Sequence, residues 1–211
     1  METNRKLAVA LSAVVLLQGC AIYGKELRSI PTVGPDAVIV HACPGRQGIS
    51  YWPSSGGRLC LSTHAIEVEV EAENGQTTFF AIGPLLPLVP FFPKEGTDSA
   101  PLRIQLGFHA GDGYTFAPWQ MSVTTRGEIL KVSRALANVR EGKGVHTVEL
   151  DPRDQSARPL DTWFVLIFAR HVAPDEEFFL SLHVTAPDGS DVQLPSIRFS
   201  KGRLSYLAAV P

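Results

Sequence analysis

Short runs of alternating apolar and polar residues, separated by turn residues, recur along most of this chain and constrain its fold more than any other feature. The clearest run spans residues 64–71, where aliphatic residues alternate with glutamates. A period of two is the side-chain repeat of a β-strand, so we expect the aliphatics in the core and the carboxylates in water. The two sets are Ile66, Val68 and Val70, and Glu67, Glu69 and Glu71.

Other runs predict further strands bounded by Gly, Pro, Asn and Asp. The sequence Glu73-Asn74-Gly75-Gln76 predicts a turn that returns the first run into its partner strand. The Arg126-Gly127 pair predicts a hairpin, and residues 162–170 are apolar on both faces, as in a strand that is covered twice or contacts a partner. The predicted strands are 37–41, 77–82, 102–109, 119–124, 128–133, 146–150, 162–170, 177–185, 192–194 and 197–199.

Helical spacing is confined to one segment. Ile129, Val132, Leu136 and Val139 recur at helical intervals, which leaves a short helix over residues 134–139 as an alternative to a strand. The chain as a whole is predicted to be all-β, an antiparallel β-sandwich with at most one short helix. An immunoglobulin-like arrangement is one option within that class.

The first residues have the pattern of an export signal. Arg5 and Lys6 precede an apolar run of eleven residues, Leu7 to Leu17. Because a helix needs about 20 apolar residues to cross a bilayer, this run is too short for a permanent span and has the length of a secretory signal core. The alternative is an N-terminal helix of the folded domain.

The four residues after this run, Leu17-Gln18-Gly19-Cys20, resemble the lipobox of bacterial lipoproteins. The resemblance covers only the first twenty residues. It implies a diacylglycerol on the Cys20 thiol, cleavage after Gly19 and acylation of the new amine. Since Ala21 rather than Asp follows the cysteine, it also implies sorting to the outer membrane.

This pattern divides the chain into three predicted parts: a signal peptide over residues 1–19, a lipidated tether over 20–36 and one β-sandwich domain over 37–211. The tether is inferred because residues 21–35 contain two prolines and two glycines without sustained periodicity.

Two cysteines remain once Cys20 is acylated. Cys43 and Cys60 are predicted to form a disulfide, because an exported domain matures in an oxidising compartment. Closing the Gly-, Ser- and Pro-rich loop between them removes about 3 kcal/mol of chain entropy from the unfolded state. A reactive or metal-binding pair is the alternative, although no CxxC spacing supports it.

The segment Gly83 to Pro93 is the most unusual stretch, because it is apolar yet contains four prolines. Such a segment is buried across the end of the sandwich, pressed to lipid, or docked to a partner. Its candidate contact residues are Leu85, Leu86, Leu88, Val89, Phe91 and Phe92.

Catalytic, cofactor and metal motifs are not evident. The net charge of −2 includes no basic patch for nucleic acid. None of the six histidines has a ligand-pair spacing, and no nucleophile elbow or phosphate loop occurs. Asp175-Glu176-Glu177 is interpreted as a solvated turn. We therefore predict no catalytic residue, no cofactor and no metal.

These features favour a lipid-anchored envelope protein, on the outer membrane facing the periplasm, whose domain binds or supports another envelope component without catalysis. Its expected partners are the bilayer, through acylated Cys20, and an envelope protein, with no nucleic acid. The alternative is a periplasmic hydrolase or a carbohydrate-active or carbohydrate-binding module. Convergence of histidines and a carboxylate in one pocket would favour the enzyme.

Overall fold

The computed structural model describes residues 21–34, 57–63, 66–82, 89–91, 100–141, 144–160 and 162–209. Within them the chain forms sixteen strands and one 3₁₀ turn, Pro118–Gln120, and the paired strands run antiparallel. The predicted all-β antiparallel sandwich is confirmed. The strands are β1 Ala21–Thr32, β2 Arg58–Thr63, β3 Ile66–Ala72, β4 Gln76–Ile82, β5 Val89–Phe91, β6 Arg103–Ala110, β7 Thr115–Phe116, β8 Ser122–Thr125, β9 Glu128–Glu141, β10 Gly144–Glu149, β11 Arg158–Pro159, β12 Trp163–Phe168, β13 Phe178–Ser181, β14 His183–Thr185, β15 Asp191–Gln193 and β16 Ile197–Ala209.

The described strands form a 12-stranded sheet and a 4-stranded sheet. The larger has the order β2-β3-β6-β12-β9-β8-β13-β16-β1-β4-β5, with β10 also paired to β9, and the smaller has the order β11-β7-β14-β15. β9 joins the two halves of the larger sheet, because its first residues pair with β8 and its later residues pair with β12 and β10.

Aromatic rings hold the sheets together in one core. Phe116 of the smaller sheet lies between Phe108 and Phe164 of the larger one, with ring centroids 4.8 and 5.0 Å away. Phe178 and Phe199 stack on neighbouring strands with centroids 4.4 Å apart. Each aromatic pair of this kind contributes about 0.5–1.5 kcal/mol beyond the area it buries.

Residues 134–139 lie in β9, so the helix alternative is wrong. β9 contains a bulge, since Ile167 of β12 pairs with Arg134, whereas the next residue, Phe168, pairs with Val132. The extra residue, Ser133, donates its hydroxyl to the Ile167 carbonyl oxygen at 2.9 Å. The helically spaced apolar residues do not form one buried face, because Ile129 and Val139 are exposed.

Residues 21–32 form a strand and not a tether. β1 pairs with β16 along its whole length and with β4 over Ala21–Leu27. Pro31 is tolerated because the Ser29 N–H, on the same edge of β1, faces the Asn74 Oδ1 atom and not β16. The predicted tether is therefore corrected to a paired strand of the sheet.

β4 is not the partner of β3, contrary to the hairpin prediction. It pairs with β1 and β5, whereas β3 pairs with β2 and β6. Asn74 determines this crossing, because its amide donates to Ser29 Oγ at 2.8 Å and to the Val172 carbonyl oxygen at 3.1 Å. The predicted turn therefore carries the chain across to β1.

Two other predictions within the described residues agree with the structure. The Arg126-Gly127 turn joins β8 and β9 with φ angles of 47° and 78°, the left-handed region that a tight hairpin needs. Residues 178, 180, 182 and 184 are buried, as the alternation predicted. The predicted strand at residues 37–41 lies outside the described residues.

Candidate functional site

The outer face of β3, β6 and β12 carries the densest set of polar and aromatic side chains in the described residues. Glu69 pairs with Cys60 of β2 and with Gly107 of β6, and Gly107 pairs with Trp163 of β12. Paired residues of antiparallel strands point to the same face. This face therefore runs from an ionic cluster on β3 to Trp163 and a cavity beside β9.

The carboxylates of β3 do not all lie in water. Glu67 is exposed as predicted, but Glu69 and Glu71 are only 4% and 7% exposed, so that prediction is wrong for two of the three. The reason is that Arg28 and Arg58 lie against them. A charge is buried at tolerable cost when an opposite charge and hydrogen bonds accompany it.

Glu71 is shared by two guanidinium groups. Its Oε1 lies 2.9 Å from Arg28 Nη2, and its Oε2 lies 3.1 Å from Arg58 Nη2. Arg28 Nη2 also donates to the Ala72 carbonyl oxygen at 2.9 Å, while Arg58 Nη1 contacts Glu69 at 3.3 Å. These contacts connect β1, β2 and β3, so the ionic cluster comprises Glu26, Arg28, Arg58, Glu69, Glu71 and the neighbouring His109.

Glu26 is the carboxyl that β1 contributes to the cluster. Burial raises the pKa of Glu26 above its ordinary value, Arg28 opposes the rise, and the nearby Glu71 adds to it. The Glu26 Oε1 atom lies 3.3 Å from Arg28 Nε. The cluster thus holds three carboxyl groups against two guanidinium groups.

Trp163 joins the cluster to the rest of the face. The Arg58 guanidinium lies 5.6 Å from the Trp163 ring centroid, a cation–π distance. The indole packs directly on the Gly107 backbone, where an added Cβ would lie 2.6 Å from the ring. Glycine is therefore required at residue 107 for the ring to lie flat against β6.

A cavity of about 590 Å³ lies between Trp163 and the β9–β10 hairpin. Pockets for small ligands span roughly 300–1,000 Å³, so this one is large enough to hold one. Its wall combines apolar groups with an amide, a hydroxyl and a guanidinium. The lining residues are Ala137, Asn138, Val139, Val145, Leu150, Arg158, Pro159, Thr162, Trp163 and Phe164.

Glu176 is a third buried carboxylate, in contrast to the prediction of a solvated turn at Asp175-Glu176-Glu177. It is 6% exposed, so that prediction is wrong for this residue. Glu176 Oε1 accepts hydrogen bonds from Thr125 Oγ1 at 2.7 Å and Arg170 Nη2 at 2.9 Å, and its Oε2 lies 3.3 Å from Arg126 Nη2. Its role is structural, since it clamps the β8–β9 turn.

The predicted lipidation and disulfide residues are only partly described. Cys60 is buried in β2, whereas Cys20 and Cys43 lie outside the described residues. The Cys43–Cys60 disulfide therefore stays a prediction.

The predicted apolar contact segment is described only at Val89 and Phe91. These two residues lie in β5, which pairs with β4 through Ala81↔Val89 and Phe79↔Phe91. Leu85, Leu86, Leu88 and Phe92 lie outside the described residues.

The described histidines lie apart from one another. His109 Nε2 is 3.6 Å from Glu69 Oε1, and His171 Nδ1 is 2.8 Å from the Ala100 carbonyl oxygen. His146 and His183 are exposed on β10 and β14. His41 and His64 lie outside the described residues. Tyr114 and Trp119 are partly buried and pack against the hydrophobic core.

Comparison with family models, with curated proteins and with solved structures finds no match to this chain. Among the described residues, no helix has both the length and the apolar character needed to cross a membrane.

Proposed function

We propose that this chain is an envelope lipoprotein, anchored to the outer membrane through lipid on Cys20, whose β-sandwich is a non-catalytic binding module. One sequence pattern carries the proposal. The Arg5-Lys6 pair, the apolar run of eleven residues and Leu17-Gln18-Gly19-Cys20 follow one another directly, in an order that resembles a lipoprotein signal.

Palmitate labelling tests the anchor. Cells expressing the wild-type chain should incorporate label into it, and Cys20→Ala should abolish incorporation because the acceptor thiol is gone. Cys60→Ala serves as the matched cysteine control and should keep its label. Equal labelling of wild type and Cys20→Ala would overturn the anchor.

The cavity beside Trp163 is the binding site that we propose for the module. Its apolar wall and its Arg158, Asn138 and Thr162 edge suit an amphipathic ligand with an apolar body and an anionic or hydroxylated group. The ligand, or an envelope protein that presents such a group, would contact Val145 and Trp163 together.

Anilinonaphthalene sulfonate is a suitable probe, because it combines an apolar ring system with one negative charge. Val145→Glu should weaken its binding about tenfold or more, since the new carboxylate repels the sulfonate and removes apolar surface. Val148→Glu is the control, since Val148 is also exposed on β10 but does not line the cavity. Equal dye binding by both variants would place the site elsewhere.

One observation favours the alternative of a hydrolase or a carbohydrate-active module. His109 Nε2 lies 3.6 Å from Glu69 Oε1, longer than the hydrogen bond of about 2.6–3.2 Å between a catalytic base and its partner, although such distances often shorten when substrate binds. Assays with p-nitrophenyl esters and glycosides test this alternative. Turnover that disappears in both His109→Ala and Glu69→Gln would favour it over the binding module.

A further inference from the structure

The end of the sheet nearest Cys20 is built from uncharged residues across four strands. β5, β4, β1 and β16 lie side by side there, and the register aligns Val89, Ala81, Ile22 and Ala208 in one row. The next row inward contains Pro90, Phe80, Tyr23 and Leu207, and the one after it contains Phe91, Phe79, Gly24 and Tyr206. The outermost row is Ile82, Ala21 and Ala209.

Both faces of this end are apolar in sequence. Successive residues of a strand point to opposite faces, so adjacent rows lie on opposite faces of the sheet. All four rows lack charged residues, and the first charge on β1 is Lys25. We name these four rows the apolar end. β4 ends at Ile82 and β5 begins at Val89, both at this end of the sheet.

The charges behind the apolar end on β16 have one sign. Arg198, Lys201 and Arg203 are the charged residues of β16, and all three are exposed. Arg203 pairs in register with Leu27, and Lys201 pairs with Ser29. An apolar tip followed by cationic side chains complements a bilayer with anionic headgroups.

The anchor brings this end to the membrane. Consecutive Cα atoms are about 3.8 Å apart, so Ala21 lies within one residue of the proposed acylated cysteine. We infer that the apolar end enters the interfacial layer of the bilayer, with Arg203 as the cationic residue of β16 nearest to the anionic headgroups. This inference rests on the proposed acylation of Cys20. Strand rise gives about 13 Å from Ala21 to Lys25, more than the 5–10 Å depth of interfacial insertion.

Depth-dependent quenching tests the orientation. The lipidated full chain is reconstituted in phosphatidylethanolamine–phosphatidylglycerol vesicles that contain brominated acyl chains. Leu207→Trp should lose most of the fluorescence it adds over wild type, whereas Arg203→Trp should lose little. The two positions are four residues apart on one face of β16, so they differ mainly in distance from the apolar end. Quenching equal at both positions, or absent at residue 207, would overturn the inference.

Two lysine substitutions test the membrane contact in a chain that carries no attached lipid. The Cys20→Ser chain should bind the same vesicles weakly, and Ala209→Lys should reduce the partition coefficient about tenfold or more because a lysine would enter the apolar layer. Ser205→Lys, on the same face of β16 but beside Lys25, should bind at least as tightly as the parent, because its charge lies beyond the apolar rows. Equal binding by both lysine variants would contradict the inference.

The two tests separate this inference from the anchor. Absence of palmitate label from the wild-type chain would refute acylation, whatever the results of the vesicle experiments. A labelled protein without quenching at residue 207 would keep the anchor and refute the insertion.

Discussion

Arg28 is the residue on which the ionic cluster depends most. Its side chain is 6% exposed and contacts Glu26, Glu71 and the Ala72 carbonyl oxygen. Removing one partner of a buried pair costs more than the pair contributes, because the remaining charge keeps its desolvation penalty. The Arg28 guanidinium therefore links β1 to β3.

Replacing Arg28 should show directly how much its loss costs in free energy of unfolding. Arg28→Met should lower the free energy of unfolding by about 3 kcal/mol or more, because Glu71 and Glu26 lose a buried cation. Arg134→Met should change it by about 0–1 kcal/mol, although Arg134 Nε lies only 2.7 Å from Glu149, since that pair is exposed. Urea denaturation measures both. Equal losses would show that burial does not govern these pairs.

Glu26 predicts a pH dependence of defined sign. Burial raises its pKa, so over the window above its ordinary value of 4.5 the folded chain binds more protons than the unfolded chain, and stability falls as pH rises. Glu26→Gln removes the titrating carboxyl, and with it this fall in stability. The unfolding free energy of the variant minus that of wild type should therefore increase as pH rises through that window.

Glu149 supplies the opposite control. The hydrogen bond from Arg134 lowers the pKa of Glu149, so its contribution is present above pH 4.5 and is lost as pH falls. For Glu149→Gln, the variant-minus-wild-type difference should therefore become more negative as pH rises. If the variant-minus-wild-type difference changed in the same direction with pH for both variants, the assignment would be contradicted.

At the scale of elements, the β8–β9 hairpin depends on a glycine with a positive φ. Gly127 has φ of 78°, and an added Cβ would meet no atom within 4 Å, so only the backbone resists a side chain there. Gly127→Ala should reduce the free energy of unfolding by about 1–2 kcal/mol. Gly34→Ala, also in open space but without a positive φ, should not. Thermal unfolding distinguishes them, and equal shifts would refute the backbone cause.

Local pattern predicted the strands, but not what covers their second faces. Alternation identified β3 and its two faces correctly. It could not show that Glu69 and Glu71 are buried, because Arg28 comes from a strand some forty residues earlier. That strand was missed because Gly24 and Pro31 resemble linker residues. Pairing between distant segments is set by tertiary contacts that no local window contains.

The bulge in β9 and the crossing at Asn74 were missed for related reasons. One extra residue, Ser133, interrupts the alternation of β9, and no local pattern marks its position. An Asn-Gly turn signal predicts that the chain reverses, but it does not predict which strand the following segment pairs with. For the site, the apolar contact segment stays a prediction, and the cavity was missed because its walls come from three separate segments.

At the scale of the whole molecule, β1 links the proposed anchor to the core. It begins beside Cys20, pairs with β4 and β16 at the apolar end, and places Arg28 in the ionic cluster. A domain joined to its lipid through a paired strand would be held in a restricted orientation, unlike one on a flexible tether. The cavity beside Trp163 would then face a defined direction.

Mass spectrometry of the protein extracted from cell membranes tests this account most directly. The account predicts an N-terminal peptide that begins at Cys20, with a diacylglycerol on the sulfur and an acyl group on the amine. A chain that retains Met1, carries no acyl group and is recovered in the soluble fraction would contradict it.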